Sequence, residues 1–567
     1  MGLMMFSGVD DGRARRGWVP RAAIAVTAVG ACCAALTSCS SEPAAAAAVI
    51  NDFASAVSQQ NIQHAASLTT APGQASTELT ETMDGMHASN VEAKVLRTVG
   101  YSDGTAGFTL KTTYHWNTGG EGDETGTAKR REFVVETQGT ARELSTGWRV
   151  QWEPAIIYPG LRPGGRINEI RTDARPAPRV LSRRNQPFMV MQPINEVVID
   201  TSRTENIGRT VAAVARVIAP MAPQVTSDVI LKKISSSPGE PVVAVALRDP
   251  DMKVLAGDPA KIRGVTVRRT ERLVMTDRQL SSPLEEGLSN YWQAIRDATA
   301  GWQIVVQQPG EAPNRLDGHQ GPAARNITTT VDPKVQRAVG IAAIEVAQPT
   351  TVLALDARTG GILGMARNQA ATDRGINIDG EYTTGSSLAA VFDAVTAYAK
   401  AHNIGTDEVL DRLGLGVAFT VPGASSPQRN GLGVERIDYR PGEVRASMLN
   451  VGALGVALGR AVAGEKSAAA PYIVSGQVTK IEGGRLGSLD GDLVRPILDA
   501  MATTVRRGDA SDLTDAKGLR ALVGTNGPDG PGWFLGIIDN KVIVVYTEGQ
   551  RSGTAALQAM QKYLKVR

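Results

Sequence analysis

Thr351-Val352-Leu353-Ala354-Leu355-Asp356, a turn at Thr359-Gly360-Gly361, and Ile362-Leu363-Gly364-Met365-Ala366 read as a buried hairpin: two apolar runs of strand length around a glycine turn. A second such pair lies near the C-terminus. Gly532-Trp533-Phe534-Leu535-Gly536-Ile537-Ile538 turns at Asp539-Asn540 into Val542-Ile543-Val544-Val545-Tyr546, and a helix follows over 554–564. The first hairpin is preceded by Ile327-Thr328-Thr329-Thr330-Val331-Asp332 and a helix from Pro333. Strands early, helices in the middle, then strands and a helix late predict a central antiparallel sheet flanked by helices, spanning residues 327–567.

Upstream, the composition changes twice. Residues 159–309 are rich in Pro, Gly and Arg, with helices expected over 207–218 and 284–300 and strands over 242–247, 265–267 and 302–306. Residues 310–326 have no apolar periodicity and read as a linker. In residues 49–158, Val49, Ile50, Phe53, Ala56 and Val57 recur at helical spacing. The period then becomes two, at Phe108, Leu110, Thr112, Tyr114 and Trp116 and again at Trp148, Val150 and Trp152. Gly119-Gly120-Glu121-Gly122-Asp123 reads as a hairpin loop between strands. This is a small α+β domain with nothing catalytic in it; its sheet face reads as packed core, with ligand binding as the alternative. The expected class is multidomain α+β: a small helix-plus-curved-sheet domain, an irregular strand-helix middle domain, and the sheet domain.

At the N-terminus, Arg13, Arg15, Arg16 and Arg21 precede an apolar run from Ala22 to Leu36, which ends in Leu36-Thr37-Ser38-Cys39. The run is too short to span a bilayer stably, but it suits a secretory signal. Its end resembles the bacterial lipobox, in which the signal is cut before a cysteine that becomes lipid-modified. Residues 1–38 then read as a lipoprotein signal peptide, Cys39 as the lipidation site and residues 39–48 as a polar, Ala-rich spacer. The expected location is the outer face of the cell membrane, held by the lipid anchor. The three cysteines are Cys32, Cys33 and Cys39, which excludes a disulfide framework or a cysteine-ligated metal from the folded body. Sixty Lys and Arg against 57 Asp and Glu give a net charge of +3, no electrostatic reason for a nucleic-acid partner. No cofactor or metal is expected: the five histidines show no close ligand spacing, and no phosphate loop or dinucleotide fingerprint occurs.

The order of lipobox, small α+β domain, irregular middle domain and Ala-rich α/β domain resembles class B penicillin-binding proteins with a nuclear-transport-factor-2-like N-terminal domain, the D,D-transpeptidases that cross-link peptidoglycan. Four segments carry the resemblance. Trp148-Arg149-Val150-Gln151-Trp152-Glu153-Pro154 with Ile157-Tyr158-Pro159-Gly160-Leu161 is similar to the exit from that family's first domain. Ile327–Gln336, with its Thr-Thr-x-Asp-Pro-x-x-Gln pattern, resembles the entry to its transpeptidase domain, 353–366 the first hairpin, and Trp533-Phe534-Leu535-Gly536 the strand after the active-site strand. The resemblance implies a dimerisation-like domain over 159–309 and a transpeptidase-like domain over 327–567.

The catalytic motifs that the resemblance calls for are degraded. Ser-x-x-Lys at a helix start lets the amine take the serine proton. Tyr382-Thr383-Thr384-Gly385-Ser386-Ser387-Leu388-Ala389 keeps the nucleophile position at Ser386 but has Ala389 in place of lysine. Read from the residues alone, Ser386 is an N-cap before the apolar stripe Leu388, Val391, Val395 and Tyr398. The lobe that carries Ser-x-Asn looks deleted, and Ser447-Met448-Leu449-Asn450 has the wrong spacing. Lys-Thr-Gly aligns with Leu522-Val523-Gly524, followed by Thr525, so Gly524 and Thr525 are the remnant of a substrate groove and Leu522-Val523 an apolar wall. The expected protein is a cell-envelope lipoprotein of the penicillin-binding protein family. It is a catalytically inactive transpeptidase homologue that binds a peptidoglycan stem peptide or envelope-assembly proteins. The alternative is a residual acyl-serine D,D-transpeptidase or carboxypeptidase using Ser386 with a recruited base such as Asp393 or Lys400.

Overall fold

The stripe of Ile50, Phe53, Ala56 and Val57 folds as helix α1 (Ala44–Ser58), which buries that face. The helix starts inside the stretch expected to be a spacer, because the run Ala44–Ala48 consists of the strongest helix former and Ala46 is fully buried. The computed structural model describes residues 44–117, 130–378, 380–424, 444–513, 516–525, 527 and 529–567. The signal segment with Cys39 and the loop 119–123 lie outside the described residues. The chain divides into two compact units: residues up to Glu169 with Val305–Asn314, and Ile170–Ile304 with Arg315–Arg567.

The first unit adds α2 (Ile62–Ser67), α3 (Pro72–Met86) and a four-stranded antiparallel sheet in sequence order, β1 (Asn90–Gly100), β2 (Thr105–Asn117), β3 (Arg130–Leu144) and β4 (Gly147–Val150). The period-two reading of β2 holds. Phe108, Leu110, Thr112, Tyr114 and Trp116 are buried, while Thr109, Lys111 and His115 are not. Trp152 closes this core, with its ring 6.5 Å from Phe53 and its indole N–H bonded to Glu78 at 2.9 Å.

After β5 (Arg166–Thr172), which crosses the boundary at Glu169, the second unit continues with β6 (Val180–Leu181), β7 (Pro187–Ile199), α4 (Ile207–Ile218), α5 (Ser227–Ser236), β8 (Val242–Arg248), α6 (Asp249–Met252) and β9 (Val265–Met275). β9 outruns the expected three residues because its solvent face is charged. Arg268 and Arg272 stand on that face and grip the buried Glu196 of β7, at 2.7 and 3.1 Å. After α7 (Leu284–Ala298) and β10 (Gly301–Gln307), the segment read as a linker contains a strand, β11 (Asn314–His319). Its residues are half-buried or exposed, so backbone pairing forms the strand where hydrophobic pattern is absent.

The remainder runs β12 (Ile327–Thr328), α8 (Pro333–Ile344), β13 (Thr350–Asp356), β14 (Ile362–Arg367), α9 (Gln369–Asp373), β15 (Tyr382–Thr383), α10 (Ala389–His402), α11 (Thr406–Arg412), β16 (Ala418–Thr420), β17 (Arg445–Ala446), α12 (Met448–Val462), β18 (Lys480–Glu482), α13 (Gly491–Arg507), β19 (Arg520–Thr525), β20 (Gly532–Ile538), β21 (Lys541–Thr547) and α14 (Ser552–Val566). The expected central sheet is present: five antiparallel strands in the order β14-β13-β21-β20-β19, with β19 at an edge. α8 and α14 cover one face and α12 the other. One core joins Phe188, Met189, Leu288 and Trp292 to Leu353, Leu355 and Leu454, on both sides of residue 326.

Gln336, the last residue of the Thr-Thr-x-Asp-Pro-x-x-Gln segment, explains part of that union. Its buried amide donates to Met365 O at 2.8 Å and Ser281 O at 3.2 Å and accepts from Met365 N at 2.9 Å. Gln336→Ala removes the side-chain partner of Met365 N and Ser281 O, while Met365 O keeps the Ser282 hydroxyl. It should therefore cost about 2–3 kcal/mol in urea unfolding followed by circular dichroism.

Candidate functional site

α10 is entered through a tight turn, Gly385–Leu388. Gly385 has φ +55°, a backbone conformation open to glycine at little cost. Thr384, fully buried, anchors the turn by donating from its amide (2.8 Å) and its hydroxyl (3.1 Å) to Val444 O. Ser387 is turned inward and donates back to Thr384 O, which leaves Ser386 exposed. The N-cap reading of Ser386 fails: no side chain caps the turn or α10. The Ser386 hydroxyl reaches instead to the sheet edge, donating to Thr525 O and accepting from Thr525 N, both at 3.3 Å. The apolar stripe after it, Leu388, Val391, Val395 and Tyr398, is buried as expected.

The positions proposed as groove remnants thus meet the serine. A Cβ added at Gly524 would lie 2.5 Å from Ser387 Cα and 2.7 Å from Ser386 Oγ, so the turn packs directly on β19 and only glycine fits. The expected apolar wall needs correction. Leu522 is 4% exposed and belongs to the core that holds Leu388, Val391 and Trp533, while Val523, on the opposite face of the strand, packs toward the α8 and α14 side. Leu522 fills the interior beneath the site and offers a ligand almost no surface.

Aromatic packing fixes the approach to the turn. Trp533 on β20, opposite Gly524, donates from its indole N–H to Thr383 O at 2.9 Å. Tyr546 packs against Trp533 at 4.8 Å and against Tyr382 at 4.3 Å, and its hydroxyl donates to Glu548 at 2.6 Å. Burial and that bond to a carboxylate push the Tyr546 phenol far above its ordinary range, so it stays protonated. The sequence reading missed Tyr546 and Glu548. With aromatics at only 4% of the chain, their clustering next to the Trp533 strand was the available signal.

Other titratable groups have different employment. His402 bonds to Asp492 at 2.7 Å and stacks on Tyr398 at 4.1 Å, at the far end of α10 from Ser386. That bond holds the Asp492 carboxyl below its ordinary value, and the bond from Tyr398 to Asp490, aided by burial, raises the phenol. Asp393 and Lys400 are exposed on α10, and among the described residues neither is bonded to Ser386. Ser447 caps α12, and Asn450 is consumed within the fold: its carbonyl accepts from Ser447 Oγ at 2.6 Å and its amide donates to Gly414 O and Val417 O at 2.9 and 2.7 Å. Between α10 and α12 the described residues contain one helix, the seven-residue α11.

Chemically, the site has a hydroxyl held by backbone, a backbone N–H aimed at it, and no side-chain base bonded to it among the described residues. No curated protein matches the chain. The NTF2-like N-terminal transpeptidase domain family matches residues 45–165, from the start of α1 past β4. This first unit is a penicillin-binding-protein-like N-terminus.

Proposed function

We propose that this protein is a cell-envelope lipoprotein with a transpeptidase-like domain that no longer catalyses, and that it acts by binding a peptidoglycan stem peptide or partner proteins during wall assembly. The observation that carries this reading is at Ser386. Its hydroxyl is engaged by the Thr525 backbone, the residue one turn on is Ala389, and Leu522 lies in the core where the family resemblance calls for a lysine. The N-terminal family match supports the wall-related setting. The test is covalent labelling of the purified protein by a fluorescent penicillin, read as a mass increment; stoichiometric label lost in Ser386→Ala would overturn the proposal. One observation favours the alternative, residual acyl-serine chemistry: Ser386 is exposed, and a backbone N–H donates to its oxygen, which favours the ionised form of the hydroxyl.

Attachment through Cys39 is part of the proposal, supported by the basic, apolar and Leu-Thr-Ser-Cys succession. Two acyl chains, at about 0.8 kcal/mol per buried CH₂, hold a protein stably at a bilayer. Cys39→Ala is expected to move the protein from the membrane pellet to the soluble fraction. An unchanged pellet would remove the anchor from the proposal.

A further inference from the structure

An anchor at Cys39 leaves the first unit little slack. Even fully extended, the chain from Cys39 to Ala44, where α1 begins, spans at most about 18 Å. The start of α1 therefore decides which end of the unit lies nearest the bilayer. At the other end of the helix, the Ser58 hydroxyl donates to Ala93 O at 3.1 Å and accepts from Ala93 N at 2.8 Å. The 15-residue helix is about 22 Å long and packs along β1. From Ala93, β1 covers about 23 Å to Gly100 but only about 10 Å to Asn90, so α1 runs toward Gly100. Its packing on the short β4, at that same end of the sheet, agrees. Ala44 thus stands level with the turns 101–104 and 145–146 that close the sheet.

The two turns are joined and carry apolar side chains outward. Glu143 N donates to Gly104 O at 3.0 Å, and Tyr101 N donates to Thr105 O at 2.8 Å. Among the described residues of the first unit, the exposed large apolar side chains are Leu96, Tyr101, Val134 and Leu144, and two of these four stand at this end. Leu144 is three residues past the buried Ala141 and so lies on the outer face of β3. Tyr101 is on that face as well, leaning over Gly107 with 56% of its surface open. A phenol and a leucine beside the exposed Ser102, Ser145 and Thr146 suit the headgroup boundary of a bilayer, where one end of a side chain is wet and the other apolar. Charge limits the depth. The Thr105 hydroxyl holds the Asp103 carboxyl below its ordinary value, and an ionised group at the tip keeps the turn out of the acyl chains.

We propose that the turns 101–104 and 145–146 rest in the headgroup layer of the membrane, with Tyr101 and Leu144 dipping into its apolar boundary. The inference rests on the proposed anchor at Cys39. The test uses the full-length lipoprotein reconstituted into vesicles of phosphatidylcholine and phosphatidylglycerol, with an environment-sensitive fluorophore on Leu144→Cys or Tyr101→Cys. The chain has no cysteine after Cys39, so the label goes to the introduced thiol. Val134→Cys is the comparison: it lies on the same face, opposite Thr113, about 26 Å along β2 from the turn at Thr105. Lipids carrying a nitroxide near the glycerol should remove about half or more of the emission at 101 and 144, whose side chains would lie about 5–10 Å into the boundary. Emission at 134 should stay nearly unchanged. Vesicle-bound protein with no lipid quenching at 144, or with equal quenching at 134 and 144, would overturn the inference and leave the anchor standing. A blue shift at 144 without lipid quenching would assign the turns to a protein contact and overturn it too. Protein that does not float with the vesicles would remove the anchor and the inference together. Penicillin labelling is independent of all these outcomes.

Discussion

Fluorescent penicillin incubated with this protein is expected to leave no covalent label on the time scale that saturates an active transpeptidase, and Ser386→Ala should not change the result. Acylation needs an activated hydroxyl, a proton donor for the leaving nitrogen and an anchor for the drug's carboxylate. A positioned base contributes about 10²–10⁴ in rate and a lost oxyanion-type donor costs about 10²–10³. With Ala389 and Leu522 where the resemblance calls for lysines, the expected deficit is on the order of 10⁴ or more. Thr525 N–H compensates only in part, because a donor to the Ser386 oxygen favours its ionised form but cannot remove the proton. Mass spectrometry of intact protein after overnight exposure decides it: one drug increment per chain, absent in Ser386→Ala, refutes the pseudoenzyme reading.

Gly524→Val should destabilise the second unit by about 3 kcal/mol, at the upper end of ordinary overpacking. Valine is a good strand residue, so propensity does not cause the loss. The cause is the Ser386-Ser387 backbone, which an added Cβ would meet at 2.5 Å or closer and which cannot turn aside as a flexible side chain would. The turn must leave the sheet edge, and the two Ser386–Thr525 bonds go with it. Ser386→Ala removes the same bonds from an exposed hydroxyl without moving backbone and should cost less than about 1 kcal/mol. Thermal unfolding separates the two, with a fall of roughly 3–5 °C for Gly524→Val. Equal, small shifts would mean that the close packing of turn on strand is not maintained.

What the sequence made legible was what apolar pattern encodes. The strands 351–356, 532–538 and 542–546 pair as expected, and the helix over 207–218 has those bounds because its buried stripe and Asn206 cap are both local. Patterns carried by polar residues were less visible. β11 and the charged half of β9 have no apolar alternation, and α1 begins in an alanine run that composition alone made a spacer. At the site, motif order aligned Ser386 with Gly524 and Thr525, which the fold brings together across 139 residues. The destination of the Ser386 hydroxyl was not legible. A cap and a cross-strand bond use the same atom, and the Gly385 turn decides between them.

Leu522 bears on the chain's evolutionary reach. A lysine restored at that position would put an ammonium among Leu388, Val391 and Trp533 rather than at a solvent-lined groove. Burying such a charge without a partner costs several kcal/mol, comparable to a large share of a domain's whole stability. Ala389→Lys alone would add a base and leave a ligand carboxylate unanchored. A lysine at position 522 would therefore require the interior around Leu388, Val391 and Trp533 to be repacked first.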